Sequence, residues 1–91
     1  MEQRNRSILQ LILQPYTIDL LHAVESGPKR FSDLKKHVKN DMTLSAKLSK
    51  LVGYGLIEIV PLKTGKRYTN GYIITKKGKN IVANLEKIRF E

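Results

Sequence analysis

Proline and glycine divide this chain into pieces too short for anything but a small packed set of elements. Gln14-Pro15 ends a first apolar helix expected over Asn5–Leu13, because proline lacks the amide hydrogen and disfavours helix in the residue before it. Ser7 or Asn5 can cap that helix, and five of the six residues Ile8–Leu13 are apolar. Pro15 suits the first turn of a second helix, Pro15–Ser26, with Ile18, Leu20, Leu21 and Val24 as its apolar face. Gly27-Pro28 stops it, the glycine taking the left-handed position. Lys29-Arg30-Phe31 is long enough only for a bridging strand.

The punctuation continues at the same short spacing. Ser32 is placed to cap a helix over Asp33–Val38, with Asp33 favourable at its positive end. After the turn Asn40-Asp41, Thr43 is placed to cap Leu44–Tyr54, where Leu44, Leu48 and Leu51 share one face. Gly55 and Leu56 carry the pattern of a Schellman end. Leu56–Leu62 and Tyr68–Ile74 read as a hairpin around Lys63-Thr64-Gly65-Lys66-Arg67, with Pro61 marking the outgoing strand as an edge. Thr75 caps a last helix reaching about Arg89, striped by Ile81, Val82, Leu85 and Ile88. The order α-α-β-α-α-β-β-α predicts an α+β fold, mostly α. It is a winged helix-turn-helix with extra helices at both ends.

Composition narrows the use of such a fold. Ninety-one residues predict a single domain over 1–91, with 5–13 and 76–89 as candidate dimerisation helices. There is no cysteine, so disulfides and thiolate metal sites are excluded. The apolar run Ile8–Leu13 is too short to cross a bilayer or to serve as a secretory leader, which points to a cytoplasmic protein. Asp19, His22 and Glu25 lie at helical spacing, but exposed charge pairing explains them better than a metal. No nucleophile motif, phosphate loop or paired-carboxylate arrangement suggests an enzyme, and no cofactor is expected. The net charge is +9. The excess lies between Lys29 and Lys79, where the only acids are Asp33, Asp41 and Glu58. Such a balance attracts polyanions, with a merely solvated basic surface as the alternative.

Position favours duplex DNA as the partner. With the leucines of 43–54 inward, its outer face is expected to carry Thr43, Ser45, Ala46, Lys47, Ser49 and Lys50. These are small or basic residues suited to base edges and phosphates in a major groove. Lys63, Lys66, Arg67 and Tyr68 would form a wing on the backbone or in the minor groove; an ordinary solubilising turn is the alternative. Lys29, Arg30, Ser32, Lys35 and Lys36 are candidate phosphate contacts, with Lys39 beside them and the helix ends at Ser32 and Thr43 adding amide donors. Ile8, Leu9, Ile12 and Leu13, with Ile81, Leu85 and Ile88, offer more apolar surface than one small domain easily covers. They predict a homodimer interface, unless the terminal helices pack within one chain. A sequence-specific transcriptional regulator that acts as a repressor is thus one expectation. A non-specific or architectural DNA binder and a winged-helix protein-interaction module are the others.

Four segments carry a resemblance. They are Gly27-Pro28-Lys29-Arg30-Phe31-Ser32-Asp33-Leu34, Leu44-Ser45-Ala46-Lys47-Leu48-Ser49-Lys50-Leu51, Gly55-Leu56-Ile57 and Tyr72-Ile73-Ile74-Thr75-Lys76-Lys77-Gly78. Together they resemble the HxlR-type winged-helix transcriptional regulators over about residues 17 to 85. Gly-Pro-x-Arg-Phe-x-x-Leu is the most specific part. The Leu-x-x-Leu-x-x-x-Gly-Leu-Ile and Thr-x-x-Gly parts are shared with MarR-like and archaeal winged-helix regulators. The resemblance implies a dimer bound to an inverted repeat, with terminal helices at the dimer interface. Two departures limit it. The cysteine many relatives carry near the N-terminus is missing, so cysteine-based sensing does not carry over. The usual tryptophan early in the first core helix is also missing, and Tyr16 stands near its place.

Overall fold

A computed structural model describes the backbone of residues 2–89 and the side chains of residues 7–87. Its elements are α1 (Glu2–Leu13), α2 (Thr17–Ala23), β1 (Lys29–Arg30), α3 (Phe31–Leu34), α4 (Asp41–Gly53), β2 (Ile57–Thr64), β3 (Arg67–Ile74) and α5 (Lys76–Arg89). The order is the expected one, and the three strands form one antiparallel sheet in the order β1-β3-β2. Pro61 therefore sits on an edge strand, where its missing amide hydrogen breaks no ladder on the far side.

The core gathers one face from every helix. Ile8, Leu11 and Ile12 of α1, Leu20, Leu21 and Val24 around α2, Leu34 and Val38, and Leu44, Leu48 and Leu51 of α4 are buried together. Leu56, Ile57, Ile74 and Val82 close the cluster from the sheet and α5. On α2 the buried row is Thr17, Leu20, Leu21 and Val24, and Ile18 turns outward, contrary to its expected place on the apolar face. Thr17 can be interior because its hydroxyl donates to the Leu11 carbonyl at 2.7 Å.

Several element ends differ from the sequence expectation, each for a local reason. α2 starts at Thr17 rather than Pro15, since Tyr16 before it holds a left-handed backbone (φ 72°). It also ends at Ala23, so Gly27 (φ 147°) serves the turn into β1 instead of the helix cap. α3 is one turn long: the His37 amide bonds back three residues to the Leu34 carbonyl, tightening the chain out of helix. Its N-terminus is held by the Asp33 carboxylate accepting from the Arg30 amide at 3.0 Å, not by Ser32. α4 begins at Asp41, capped by Asn40, whose side-chain oxygen accepts from the Thr43 amide at 2.9 Å. Thr43 thus lies inside the first turn, and its amide is already engaged.

The far end of α4 matches expectation. The Leu56 amide reaches the Leu51 carbonyl and the Gly55 amide reaches Val52, both at 2.9 Å, which is a Schellman end with Gly55 at φ 76°. Thr75 caps α5 by accepting from the Gly78 amide at 3.1 Å. Its hydroxyl also faces the carbonyls of Gly55 at 2.6 Å and Leu56 at 3.0 Å. Gly78 has to be glycine: an added Cβ would lie 2.3 Å from the Leu56 carbonyl oxygen. The hydroxyl and the missing Cβ together seat α5 on the α4–β2 corner.

Candidate nucleic-acid interface

The exposed row of α4 is Met42, Ala46, Ser49 and Gly53, spaced at i, i+4, i+7 and i+11. Ser45 flanks it on the side of the hairpin, where Ser45, Leu48, Ser49 and Val52 border a cleft with Ile59 and Tyr72. Lys50 flanks it on the other side, beside Ser7, Gln10 and Gln14 of α1 and its end. Thr43, Ser45, Ala46, Ser49 and Lys50 are exposed as expected.

Lys47 is not. Only 9 % of it is accessible, and its ammonium donates to the Gln14 Oε1 at 3.0 Å. The reason is helical phase: Leu44, Lys47, Leu48 and Leu51 stand at i, i+3, i+4 and i+7, so Lys47 belongs to the inward stripe. Burial, and then the neighbouring charge of Lys50, pushes its pKa below the usual lysine value. Lys47 is therefore an internal tie between α4 and the end of α1 rather than a groove-facing cation. Met42 is the converse, an exposed residue that a cap at Thr43 leaves outside the helix. It falls four before Ala46 and stands 83 % exposed.

The hairpin is longer and tighter than the sequence suggests. Its turn is Gly65-Lys66 alone, and Lys63 and Thr64 end one strand while Arg67 and Tyr68 begin the next. Lys63 is opposite Tyr68 and Thr64 opposite Arg67. Residues opposite each other share a face, and adjacent residues point oppositely. The four wing candidates are thus divided: Lys63 and Tyr68 on the face shared with Ile59 and Tyr72, Arg67 on the other, and Lys66 at the tip. All four are exposed.

The candidate phosphate contacts also divide. The Arg30 guanidinium meets both Asp33 carboxylate oxygens at 3.3 Å, and this contact lowers the Asp33 pKa first through the side chain and then through the Arg30 amide. Lys35 pairs with Asp41 at 3.0 Å, which neutralises the one acid in the first turn of α4. Lys29, Lys36 and Lys39 make no ion pair among the described residues. Ser32 is exposed.

The apolar candidates on the terminal helices separate as well. Ile8 and Ile12 are buried in the chain's own core and cannot meet a second copy, which corrects their assignment to a dimer interface. Leu9 and Leu13 face outward, 58 % and 83 % exposed. Ile81 and Leu85 are half-buried against the core, and the Ile88 side chain lies outside the described residues. His22 is flanked by two carboxylates: its Nδ1 hydrogen-bonds Glu25 at 2.5 Å and its Nε2 lies 3.9 Å from Glu86 on α5. Among the described residues no group of three or more potential ligands could hold a metal ion, and no helix is long and apolar enough to cross a membrane.

The arrangement has close structural counterparts. The reduced form of the transcriptional regulator YodB from B. subtilis superposes with a TM-score of 0.79 at 21 % identity, over 92 % of this chain and 83 % of that one. The homodimeric winged helix-turn-helix DNA-binding domain of Mb0332 from Mycobacterium bovis gives 0.75 at 19 % identity, over 98 % and 81 %. The transcriptional repressor BigR from Xylella fastidiosa gives 0.69 at 22 % identity, over 97 % and 88 %. At these identities the likeness establishes the winged helix-turn-helix fold. Among curated protein sequences none matches. The family model HxlR-like helix-turn-helix matches residues 11–89, from the core face of α1 to the end of α5, and the chain belongs to that family of winged-helix transcriptional regulators.

Proposed function

We propose that the chain is a homodimeric, sequence-specific repressor that binds double-stranded DNA with α4 in the major groove. The observation that carries this reading is the outer surface of α4. Beyond Asp41, which Lys35 neutralises, the exposed side of the helix holds no acid and presents small side chains with Lys50 at one flank. Small side chains admit the helix backbone deep into a groove, and hydroxyls at Thr43, Ser45 and Ser49 suit bases and phosphates alike. Lys66 at the hairpin tip, with Lys63, Arg67 and Tyr68 beside it, follows the flanking backbone or enters the minor groove. Lys29 and Lys36 contact phosphates directly. Arg30 and Lys35 do so only by sharing with their carboxylate partners.

The second copy is seated on Leu9 and Leu13 of α1 and on the outer edge of α5, surfaces that water otherwise covers. The homodimeric state of Mb0332 and the repressor role of BigR support this assembly and outcome. A two-fold protein matches a palindromic site. Selection from random duplexes tests the whole reading. It is expected to return a two-fold consensus bound at least a thousandfold (~10³) more tightly than bulk DNA. Retention without a consensus would instead mark an architectural binder. No retention at all would leave a protein-interaction module.

A further inference from the structure

We propose that Met42 is a base-reading side chain, and that what it reads is the C5-methyl group of thymine. The inference rests on α4 being the major-groove helix. The exposure of this side chain and its place in α4 lead to it. Met42 stands 83 % exposed in the first turn of α4, and the N-terminal residues of a recognition helix are those that meet base edges. A large apolar side chain held in water there gains nothing for the fold, since it contributes nothing to the core around Leu44, Leu48 and Leu51.

The chemistry of the side chain then selects its complement. A thioether has no hydrogen-bond donor and only a weak acceptor, so it cannot read the donor and acceptor pattern of the groove. The one apolar group displayed there is the thymine methyl. Methionine is also unbranched and polarizable, and adapts its shape to a small apolar target.

The other apolar groups on this face are the Ala46 and Thr43 methyls, which can also meet a thymine methyl but reach far less than the Met42 side chain. A cation aimed at guanine is the commonest specific contact in a major groove. Here Lys47 is turned into the protein and held by Gln14, and Lys50 stands at the flank beside α1. Ser45 and Ser49 accept or donate and so tolerate either base pair. Met42 is thus the longest apolar side chain at the N-terminal end of α4, with thymine as its target.

The test uses the full chain and the duplex recovered by random selection. Each thymine in that duplex is replaced singly by uracil, which removes the methyl and leaves every hydrogen-bonding group in place. One position per half-site is expected to weaken binding about fourfold, the value of one buried carbon group. In the Met42→Ala variant the same replacement is expected to have no effect. Because Met42 is exposed, the variant keeps its fold, which an unchanged melting temperature verifies. If no uracil position matters, or if it matters equally in both proteins, Met42 does not read thymine, while a recovered consensus still upholds α4 as the recognition helix. If selection yields no consensus, the major-groove reading itself is overturned, and this inference with it.

Discussion

α4 is held at two places, and the two are built differently. At its C-terminal corner, the Schellman end at Gly55, the Thr75 hydroxyl and the bare Cα of Gly78 fit backbone against backbone. The Lys77 ammonium adds a bond to the Tyr54 carbonyl at 3.0 Å. At its other side, a single hydrogen bond from Lys47 to Gln14 connects α4 with the end of α1. The first junction satisfies its polar groups and leaves no room. The second places an ammonium in a poorly hydrated position with one neutral partner, which is a weak way to stabilise a fold. The difference indicates that the polar joint of α4 is strong at the hairpin and α5 and weak at α1, to which α4 is otherwise held through the shared apolar core. The light contact is the one beside Leu9 and Leu13, where a second copy would bind.

The largest expected effect comes from breaking the tight corner. Gly78→Ala gains helix propensity of about 1 kcal/mol but drives a Cβ to 2.3 Å from the Leu56 oxygen. Backbone on both sides leaves little to yield, so a net loss of about 3 kcal/mol is expected. In a domain of this size that lowers the melting temperature by more than ~10 °C at fixed protein concentration. A shift of only a few degrees would mean the corner gives way easily, and the proposed contrast between the junctions would fail.

Thr75→Val is the next in size. The swap keeps the shape and removes the hydroxyl that caps α5 and faces the Gly55 and Leu56 carbonyls. A lost N-cap together with the Gly55 carbonyl left unpaired amounts to about 1–2 kcal/mol, while the Leu56 carbonyl keeps the Thr75 amide at 3.0 Å. Urea unfolding measures it, and Thr75→Ser is expected to recover most of the loss. If serine were no better than valine, the hydroxyl would not be what joins α5 to the corner.

The two junctions also differ in how far the sequence reveals them. Glycine and a capping threonine mark backbone geometry directly, so the Schellman end and the Thr75 cap were legible residue by residue. So were the order of elements and the edge position of Pro61. Lys47 was hidden because residue type suggested surface while spacing suggested core. It stands three after Leu44 and four before Leu51, and the spacing is what decides. Met42 was hidden for the opposite reason. A cap at Thr43 places Met42 outside the helix, whereas Asn40 starts α4 earlier and brings Met42 into the exposed row. The division of the hairpin residues was lost because strand parity depends on the turn being only Gly65-Lys66, and a five-residue tip conceals it. Contacts such as Arg30–Asp33 are local and can be anticipated, but Lys47–Gln14 joins residues far apart in sequence and needs the packed fold.

The loose junction yields smaller effects, with a change of sign. Lys47→Met keeps the aliphatic length and removes a poorly hydrated charge, while Gln14 is exposed and can turn to water. The variant is expected to be more stable than the parent by about 1 kcal/mol at neutral pH. Its DNA affinity should keep the parent's slope against salt, since an internal lysine displaces no counterion. Lys66→Met should lower that slope by about 0.9. A reduced slope for Lys47→Met would return Lys47 to the DNA-facing surface.

The finest distinction lies in the pH dependence of that gain. Burial holds the Lys47 pKa below 10.5 in the folded protein, and the unfolded chain has no such constraint. Below the folded value both states carry the proton, so the penalty on the parent is complete and independent of pH. Between the folded value and 10.5 the unfolded state binds more protons, so the parent gains stability as pH rises. Titrating groups that do not interact with Lys47 are common to parent and Lys47→Met and cancel in their difference, and Lys50, the one charge that acts on it, is secondary to burial. The difference in unfolding free energy is therefore expected to be constant near neutral pH and to shrink as pH approaches 10.5. A flat difference across the whole range would mean that Lys47 is as well hydrated folded as unfolded. The bond to Gln14 would then be a surface contact, and α1 would not be coupled to α4 through it.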